Sequence, residues 1–169
     1  MILAELFAWF VEYLGTIASV FGAGFTILFS AQAKTAATAA RQASNETRAQ
    51  VSRLDVLSEL TEAKRLMDDV ANRLHGRSWE IIAERCTAIR LIIAPITSTQ
   101  EIEFSSDVSE KLVEVIAQMK ILSATANKVR YQTIIEPSIP KLSGLVDEQK
   151  EVLTLAISEV KKMIGQGNG

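Results

Sequence analysis

The stretch VLSELTEAKRLMDDVANRL, residues 56–74, decides the fold because its apolar residues recur at helical spacing. The intervals between them are 4, 3, 4, 3 and 4, which is the pattern of a helix with one buried face. Charged residues fall largely on the other faces. A helix of this kind needs partners for its apolar stripe, which consists of Val56, Leu60, Ala63, Met67, Val70 and Leu74.

Three downstream segments repeat this pattern and supply those partners. The spacing predicts helices at Trp79–Ala94, from Asp107 to about Tyr131, and from about Lys141 to Ile164. Gln149 is the one polar residue within these stripes, and we expect it to set register by a hydrogen bond across the core. The three stripes are Ile82, Cys86, Ile89 and Ile93; Val108, Leu112, Val115, Met119, Leu122, Ala126 and Val129; and Val146, Gln149, Leu153, Ala156, Val160 and Met163.

Turn and cap residues separate the four stripes. Gly76 is expected to end the first helix in the left-handed conformation, which glycine enters at little cost. Pro95 is expected to stop the second helix. Both Ser98 and Asp107 fit the spacing of a capping box for the third helix, and we favour Asp107. The connections at Gly76 and around Pro137 are short, which favours antiparallel neighbours.

Upstream, the sequence KTAATAARQASNETRAQVSR, residues 34–53, predicts a helical stalk. It is rich in alanine and contains neither glycine nor proline. Ala36, Ala40 and Ala43 form a narrow seam of small side chains on one face. This seam fits either a solvated stalk, which we favour, or close packing on a partner helix.

The segment YLGTIASVFGAGFTILFS, residues 13–30, contains no charged residue. A helix needs roughly 20 apolar residues to cross a bilayer, so we predict one transmembrane helix at about residues 7–30. Trp9, Phe10 and Tyr13 would form an aromatic belt at one water interface. The predicted partner of this segment is therefore the lipid bilayer.

Basic residues flank this segment on one side only. Glu5 and Glu12 precede it, whereas Lys34, Arg41 and Arg48 follow it. The positive-inside rule places the N-terminus outside and the C-terminal domain in the cytoplasm, as in a single-pass protein of a bacterial inner membrane. A cleaved signal peptide ending at residues 31–33 is the alternative, but the acidic start and the long apolar run argue against it.

Small residues mark one face of the predicted span. Gly15, Ser19 and Ala23 recur at intervals of four, which would let two membrane helices approach closely and self-associate. Glu12 lies at the edge of the span and is expected to reach headgroup water. The other interpretation is a proton- or ion-responsive group in an assembled pore.

The residue inventory argues against catalysis, metal binding and nucleic-acid binding. His75 and Cys86 are the only histidine and cysteine, so most hydrolytic triads and thiolate metal sites are excluded. We expect His75 to sit in the last turn of a helix and Cys86 to act as a small core residue. A net charge of −2 gives no field that favours nucleic acid. We predict no enzyme activity, cofactor or metal.

These observations predict an all-α protein with one N-terminal transmembrane helix, a helical stalk and an antiparallel bundle of about four helices. The limits are a membrane anchor at 1–33, a stalk at 34–53, a bundle at 54–165 and a disordered tail at 166–169. The expected function is a membrane-tethered interaction or assembly module whose partner is a second copy or another helical protein. The alternative is an effector whose clustered anchors permeabilise the bilayer. The apolar stripes repeat every seven residues. A coiled coil formed between chains would therefore also bury them.

Overall fold

The computed structural model describes residues 2–98 and 102–166, with side chains from residue 33 onward. This part of the chain folds into four α-helices and contains no strand. Their bounds are α1 Ile2–His75, α2 Trp79–Ser98, α3 Ser106–Arg130 and α4 Ile139–Gln166. The all-α prediction is therefore confirmed. The chain divides into two units, Met1–Thr47 and Arg48–Gly169, and the helical bundle lies in the second.

The core of the bundle is built from the predicted stripes. Side chains from all four helices form one buried apolar cluster. Each Leu, Ile, Val or Met removed from water contributes roughly 1.5–3 kcal/mol. Val56, Val129 and Met163, at the ends of their stripes, are only partly buried. The buried members include Leu60, Met67, Leu74, Ile82, Ile89, Leu112, Met119 and Leu153.

Polar contacts tie each helix of the bundle to its two neighbours. Asp69 near the end of α1 accepts a hydrogen bond from Arg85 near the start of α2 at 2.9 Å. The Ser123 hydroxyl of α3 donates to the Ala83 carbonyl of α2 at 3.1 Å. In each pair, a residue near the end of one helix contacts a residue near the start of its neighbour, so the two helices are antiparallel.

The ring is closed by contacts of α4. The Ser105 hydroxyl, at the start of α3, donates to Glu159 Oε1, late in α4, at 2.7 Å. Arg53 of α1 donates to the Met163 carbonyl, also late in α4, at 3.1 Å. The bundle therefore has the sequential up-and-down arrangement of four helices that the short connections predict.

The end of α1 differs from the prediction by one residue. Gly76 does not have a positive φ; Arg77 does, at 53°. The Ser78 N–H donates to the Arg73 carbonyl at 3.1 Å and the Arg77 N–H to the Leu74 carbonyl at 3.2 Å. These two bonds form a Schellman motif whose left-handed position is Arg77. The prediction that Gly76 takes this conformation was wrong.

Helix α2 continues past the proline that was expected to stop it. Pro95 lies inside α2 and is exposed, whereas Ile96 is buried and prolongs the apolar stripe by one turn. Proline lacks the N–H that would bond to the carbonyl of Leu91, but Leu91 is 71% exposed, so water can reach this side of the helix. Burial of Ile96 outweighs the lost hydrogen bond.

Helix α3 begins at neither predicted cap. Its N-cap is Ser105, whose hydroxyl oxygen accepts from the Val108 N–H at 3.4 Å. Asp107 lies in the first turn and pairs with Lys111 at 2.8 Å. The prediction of Asp107 as the cap was wrong because Ser105 is also held by Glu159, a contact between distant parts of the sequence.

Gln149 is buried in α4 as expected, but its carbonyl oxygen accepts no hydrogen bond, from the part of the chain that the structure describes, that would set register across the core. The side chain is 3% exposed, and its Oε1 atom has no hydrogen-bond partner among the described residues. A buried amide oxygen without a donor destabilises the fold by about 1–3 kcal/mol. Gln149 is therefore a weak point of the core, in contrast to Ser123, whose hydroxyl is satisfied.

No helix within the part of the chain that has described side chains is long and apolar enough to span a bilayer. The predicted span, about residues 7–30, lies outside that part. The tail residues 167–169 also lie outside the described residues, so the predicted disorder of the tail stays a prediction.

Candidate functional site

The residues predicted for membrane contact and self-association lie where side chains are not described. They are Gly15, Ser19 and Ala23 on the small face, and Trp9, Phe10 and Tyr13 at the interface. Both assignments therefore stay predictions from the sequence.

The alanine seam of α1 is fully accessible. Every side chain from residue 33 to residue 49 is exposed, including Ala36, Ala40 and Ala43. Thr38 and Thr47 fold their hydroxyls back onto the helix, at 2.8 Å to the Thr35 carbonyl and 2.8 Å to the Ala43 carbonyl respectively. These two hydroxyls bond to the backbone of their own helix, and the alanine seam remains open to solvent among exposed polar and charged side chains.

The single cysteine and the single histidine lie in different environments. Burial raises the pKa of the Cys86 thiol to about 12, and a protonated, inaccessible thiol is a poor nucleophile. His75 is exposed in the last turn of α1, as expected. The described residues contain no cluster of three potential metal ligands. The predicted core role of Cys86 is confirmed.

Adjacent aspartates in α1 hold the two flanking helices. Asp68 pairs with Lys150 of α4 at 2.9 Å, and Asp69 pairs with Arg85 of α2 at 2.9 Å. Hydrogen bonds from Arg85 and then Arg73 lower the pKa of Asp69, although partial burial opposes this. The hydrogen bond to Asp68 raises the pKa of Lys150. These carboxylates stabilise the bundle and are not paired with each other for acid–base catalysis.

An open groove of about 500 Å³ runs between α2 and α3. Glu80 and Arg130 form an ion pair of 2.8 Å beside it. Ala83, Thr87 and Leu91 contribute small or apolar surface. The groove has no buried polar group directed into it that would fix the orientation of a small ligand, so its shape alone does not define a binding site.

The connection between α3 and α4 exposes three large apolar side chains. Ile135 is 94% exposed, Tyr131 is 67% exposed and Ile134 is 41% exposed. The sequence predicted Tyr131 as the approximate end of the third helix, and it did not single out the two isoleucines. Their signal in the sequence is an Ile-Ile pair that falls outside every heptad stripe and just before Pro137.

Comparisons with known proteins do not assign a family, a fold relative or a function to this chain. No protein-family model, no curated protein and no solved structure matches the chain.

Proposed function

We propose that this protein is a membrane-tethered, non-enzymatic interaction module that presents a helical bundle on the cytoplasmic face. The observation that carries the proposal is the uncharged segment 13–30, followed but not preceded by basic residues. A segment of this length and polarity is suited to a bilayer, and the basic residues that follow it set the orientation.

The bundle supports a role in binding rather than in catalysis. Its apolar stripes are buried within one chain, and its buried thiol is protonated. A bundle that satisfies its own core is a stable support for surfaces that contact other molecules. Interaction partners would therefore meet the outer faces of the helices or the segment before the bundle.

Self-association is proposed to occur through the N-terminal segment. In lipid, apolar side chains gain little by leaving lipid tails, so close backbone approach at Gly15, Ser19 and Ala23 is important. The exposed seam of Ala36, Ala40 and Ala43 is available to extend such a contact, because alanine lets helix axes approach closely. This arrangement would leave the bundle itself monomeric.

Crosslinking of the full-length protein in membranes tests this function. Ser19→Leu should reduce the crosslinked dimer several-fold, because the larger side chain separates the helices. Gly24→Leu is the matched control, since Gly24 falls on another face at helical spacing. Loss of crosslinking with Gly24→Leu alone would contradict the assigned face.

A reporter fused after Gly169 tests orientation in the same cells. A reporter that works only in the cytoplasm should be active, and activity of one that requires export would refute the cytoplasmic assignment. Membrane depolarisation on expression would identify the protein as a permeabilising effector instead.

A further inference from the structure

The α3–α4 connection projects two isoleucines from one end of the bundle. Its eight residues, 131–138, link the end of α3 to the start of α4. Ile135 and Ile134 form an apolar tip together with Tyr131, and the three are referred to here as the loop tip. With 94% of its surface exposed, Ile135 contacts almost nothing in its own chain.

The protein holds the loop tip in place on both sides. Before the isoleucines, Thr133 donates from its N–H and from its hydroxyl to the Lys128 carbonyl, both at 2.9 Å. After them, Glu136 pairs with Arg77 of the α1–α2 connection at 3.3 Å. Ile134 and Ile135 therefore lie between a hydrogen-bonded turn and an ion pair, and their own side chains remain exposed.

This end of the bundle is basic. The connections and the adjoining helical turns carry five basic and two acidic residues, which gives +3, whereas the whole chain has −2. Arg73 is additionally paired with Asp69 of the preceding turn. Within the described residues Lys128 and Lys141 form no ion pair, so their charges are not neutralised. The basic residues are Arg73, Arg77, Lys128, Arg130 and Lys141, and the acidic ones are Glu80 and Glu136.

We propose that the loop tip inserts into an anionic lipid surface while the surrounding basic residues contact the headgroups. Insertion would bury Ile134 and Ile135 in the outer part of the acyl region. Tyr131, whose ring lies 5.4 Å from the Arg130 guanidinium, would occupy the interface, where aromatic residues with a polar end are favoured. Lys128 and Lys141 would add electrostatic attraction to anionic lipids.

A bilayer fits this surface better than a folded protein does. To bury a side chain that is exposed on nearly all sides, a partner must offer either a deep pocket or a fluid apolar phase such as the interior of a bilayer. Protein interfaces bury apolar residues within flat, well-packed patches with few charges at the centre. Here the apolar surface is a small projecting tip, and unneutralised lysines flank it along the chain. The combination matches insertion of apolar groups with electrostatic attraction to anionic lipid.

This inference goes beyond the proposed function because the loop tip and the N-terminal segment are separate parts of the chain. The bundle would bind a lipid surface through residues 131–135 whether or not residues 13–30 cross a bilayer.

The inference is tested with full-length protein inserted in phosphatidylcholine nanodiscs, to which lipid vesicles are added. Binding of the protein to the vesicles is measured. The added vesicles contain either phosphatidylcholine alone or phosphatidylcholine with one part in three phosphatidylserine. Wild type should bind the anionic vesicles in preference to the neutral ones, and higher salt should weaken binding. Ile135→Ser should weaken it about tenfold or more, and the double variant Lys128→Gln, Lys141→Gln about thirtyfold, because each lysine contributes about 1 kcal/mol at an anionic surface.

Leu155→Ser is the matched control, because Leu155 is an exposed apolar residue of α4, 49% accessible, outside the loop tip. It should change binding less than about twofold, since it removes no apolar surface at the tip. Because these side chains are exposed, the variants should keep the helical circular dichroism of wild type. Absence of anionic vesicle binding, or equal binding by Ile135→Ser, would overturn the proposal. Crosslinking of residue 135 to an acidic protein without vesicle binding would also overturn it and assign the tip to a protein partner.

A chain that does not insert into the nanodiscs would contradict the proposed tether without affecting this test. The same vesicles would then be added to the free chain. Binding that depends on Ile135 would still support the loop tip as a lipid contact, and its absence would refute it.

Discussion

Helix α1 contains two stretches, residues 33–47 and residues 54–75, that differ in how far their side chains are exposed to solvent. Every side chain in the first stretch is exposed, whereas the second buries a residue at nearly every third or fourth position. Both have the spacing of a helix with one distinct face. The difference lies in size: the first face carries Ala36, Ala40 and Ala43, and the second carries Leu60, Met67 and Leu74.

This contrast separates two reasons for forming a helix. Alanine-rich sequence favours the helical backbone through intrinsic propensity and buries little apolar surface. Bulky residues form a helix that is stabilised mainly by packing against its neighbours. Substitutions in the second stretch should therefore alter the stability of the bundle, and equivalent substitutions in the first should not.

The largest effect is expected for a charge placed in the core. Leu60→Asp or Ile89→Asp should destabilise the purified full-length protein by about 4 kcal/mol or more, because each introduces a buried, unpaired carboxylate. The matched control, Ala40→Asp in the exposed stretch, should stay within about 0.5 kcal/mol. Chemical denaturation followed by circular dichroism measures both. Equal stability of all three variants would show that these stripes are not the core.

Removal of the buried amide should stabilise the bundle. Gln149→Leu is expected to raise the free energy of unfolding by about 1–2 kcal/mol, since Oε1 has no donor among the described residues. Gln42→Leu makes the same change in the exposed stretch and should have little effect. Denaturant midpoints compare the two. Destabilisation by Gln149→Leu would mean that the amide stabilises the core through another hydrogen bond.

The Asp69 contacts should make stability depend on pH. Arg85 and Arg73 lower the pKa of Asp69 below its unfolded value of 3.8, so their contribution is present above that value. It is lost as pH falls through the lower pKa of the folded state. Asp69→Asn should remove about 1 kcal/mol near neutral pH and flatten the acid limb of the stability curve.

Glu46→Gln is the control, because it removes a carboxylate in the exposed stretch that forms no ion pair among the described residues. Urea titrations at a series of pH values distinguish the two variants. An acid limb of unchanged slope in Asp69→Asn would contradict the role assigned to this carboxylate.

The smallest effects are expected at the end of α1. Arg77→Gly relieves the strain of a positive φ but also removes the exposed ion pair with Glu136, so the two effects should offset each other and leave a net change of less than about 0.5 kcal/mol. Gly76→Ala should change stability by less than about 0.5 kcal/mol, since the added Cβ would meet its nearest neighbours at 3.7 and 3.8 Å. Thermal unfolding measures both. A loss of 1 kcal/mol or more in Gly76→Ala would restore Gly76 as the left-handed residue.

Periodicity in the sequence predicted the core because burial repeats with the helix. Leu60, Ile89 and Leu153 could be placed in this way without knowledge of the packing. The same pattern could not show whether the heptads close within one chain or between chains, since both arrangements bury the same stripes.

Helix ends were harder to predict because contacts between distant residues determine them. Pro95 stays within α2 because Ile96 is buried by the other helices, and Ser105 caps α3 while Glu159 holds it. The loop tip was missed for a related reason. An Ile-Ile pair outside a stripe can fill a gap in the core or project from it, and only the packing of α3 and α4 decides which.

Hydrogen exchange of the full-length protein in nanodiscs tests the contrast within α1 most directly. Amides that require the bundle to open exchange slowly, whereas a helix without tertiary packing opens at little free-energy cost. Amides at 57–74 should be protected at least about a hundredfold more than those at 36–47. Equal, strong protection of both stretches would contradict this account, because residues 36–47 would then be packed in an assembly as tightly as the core.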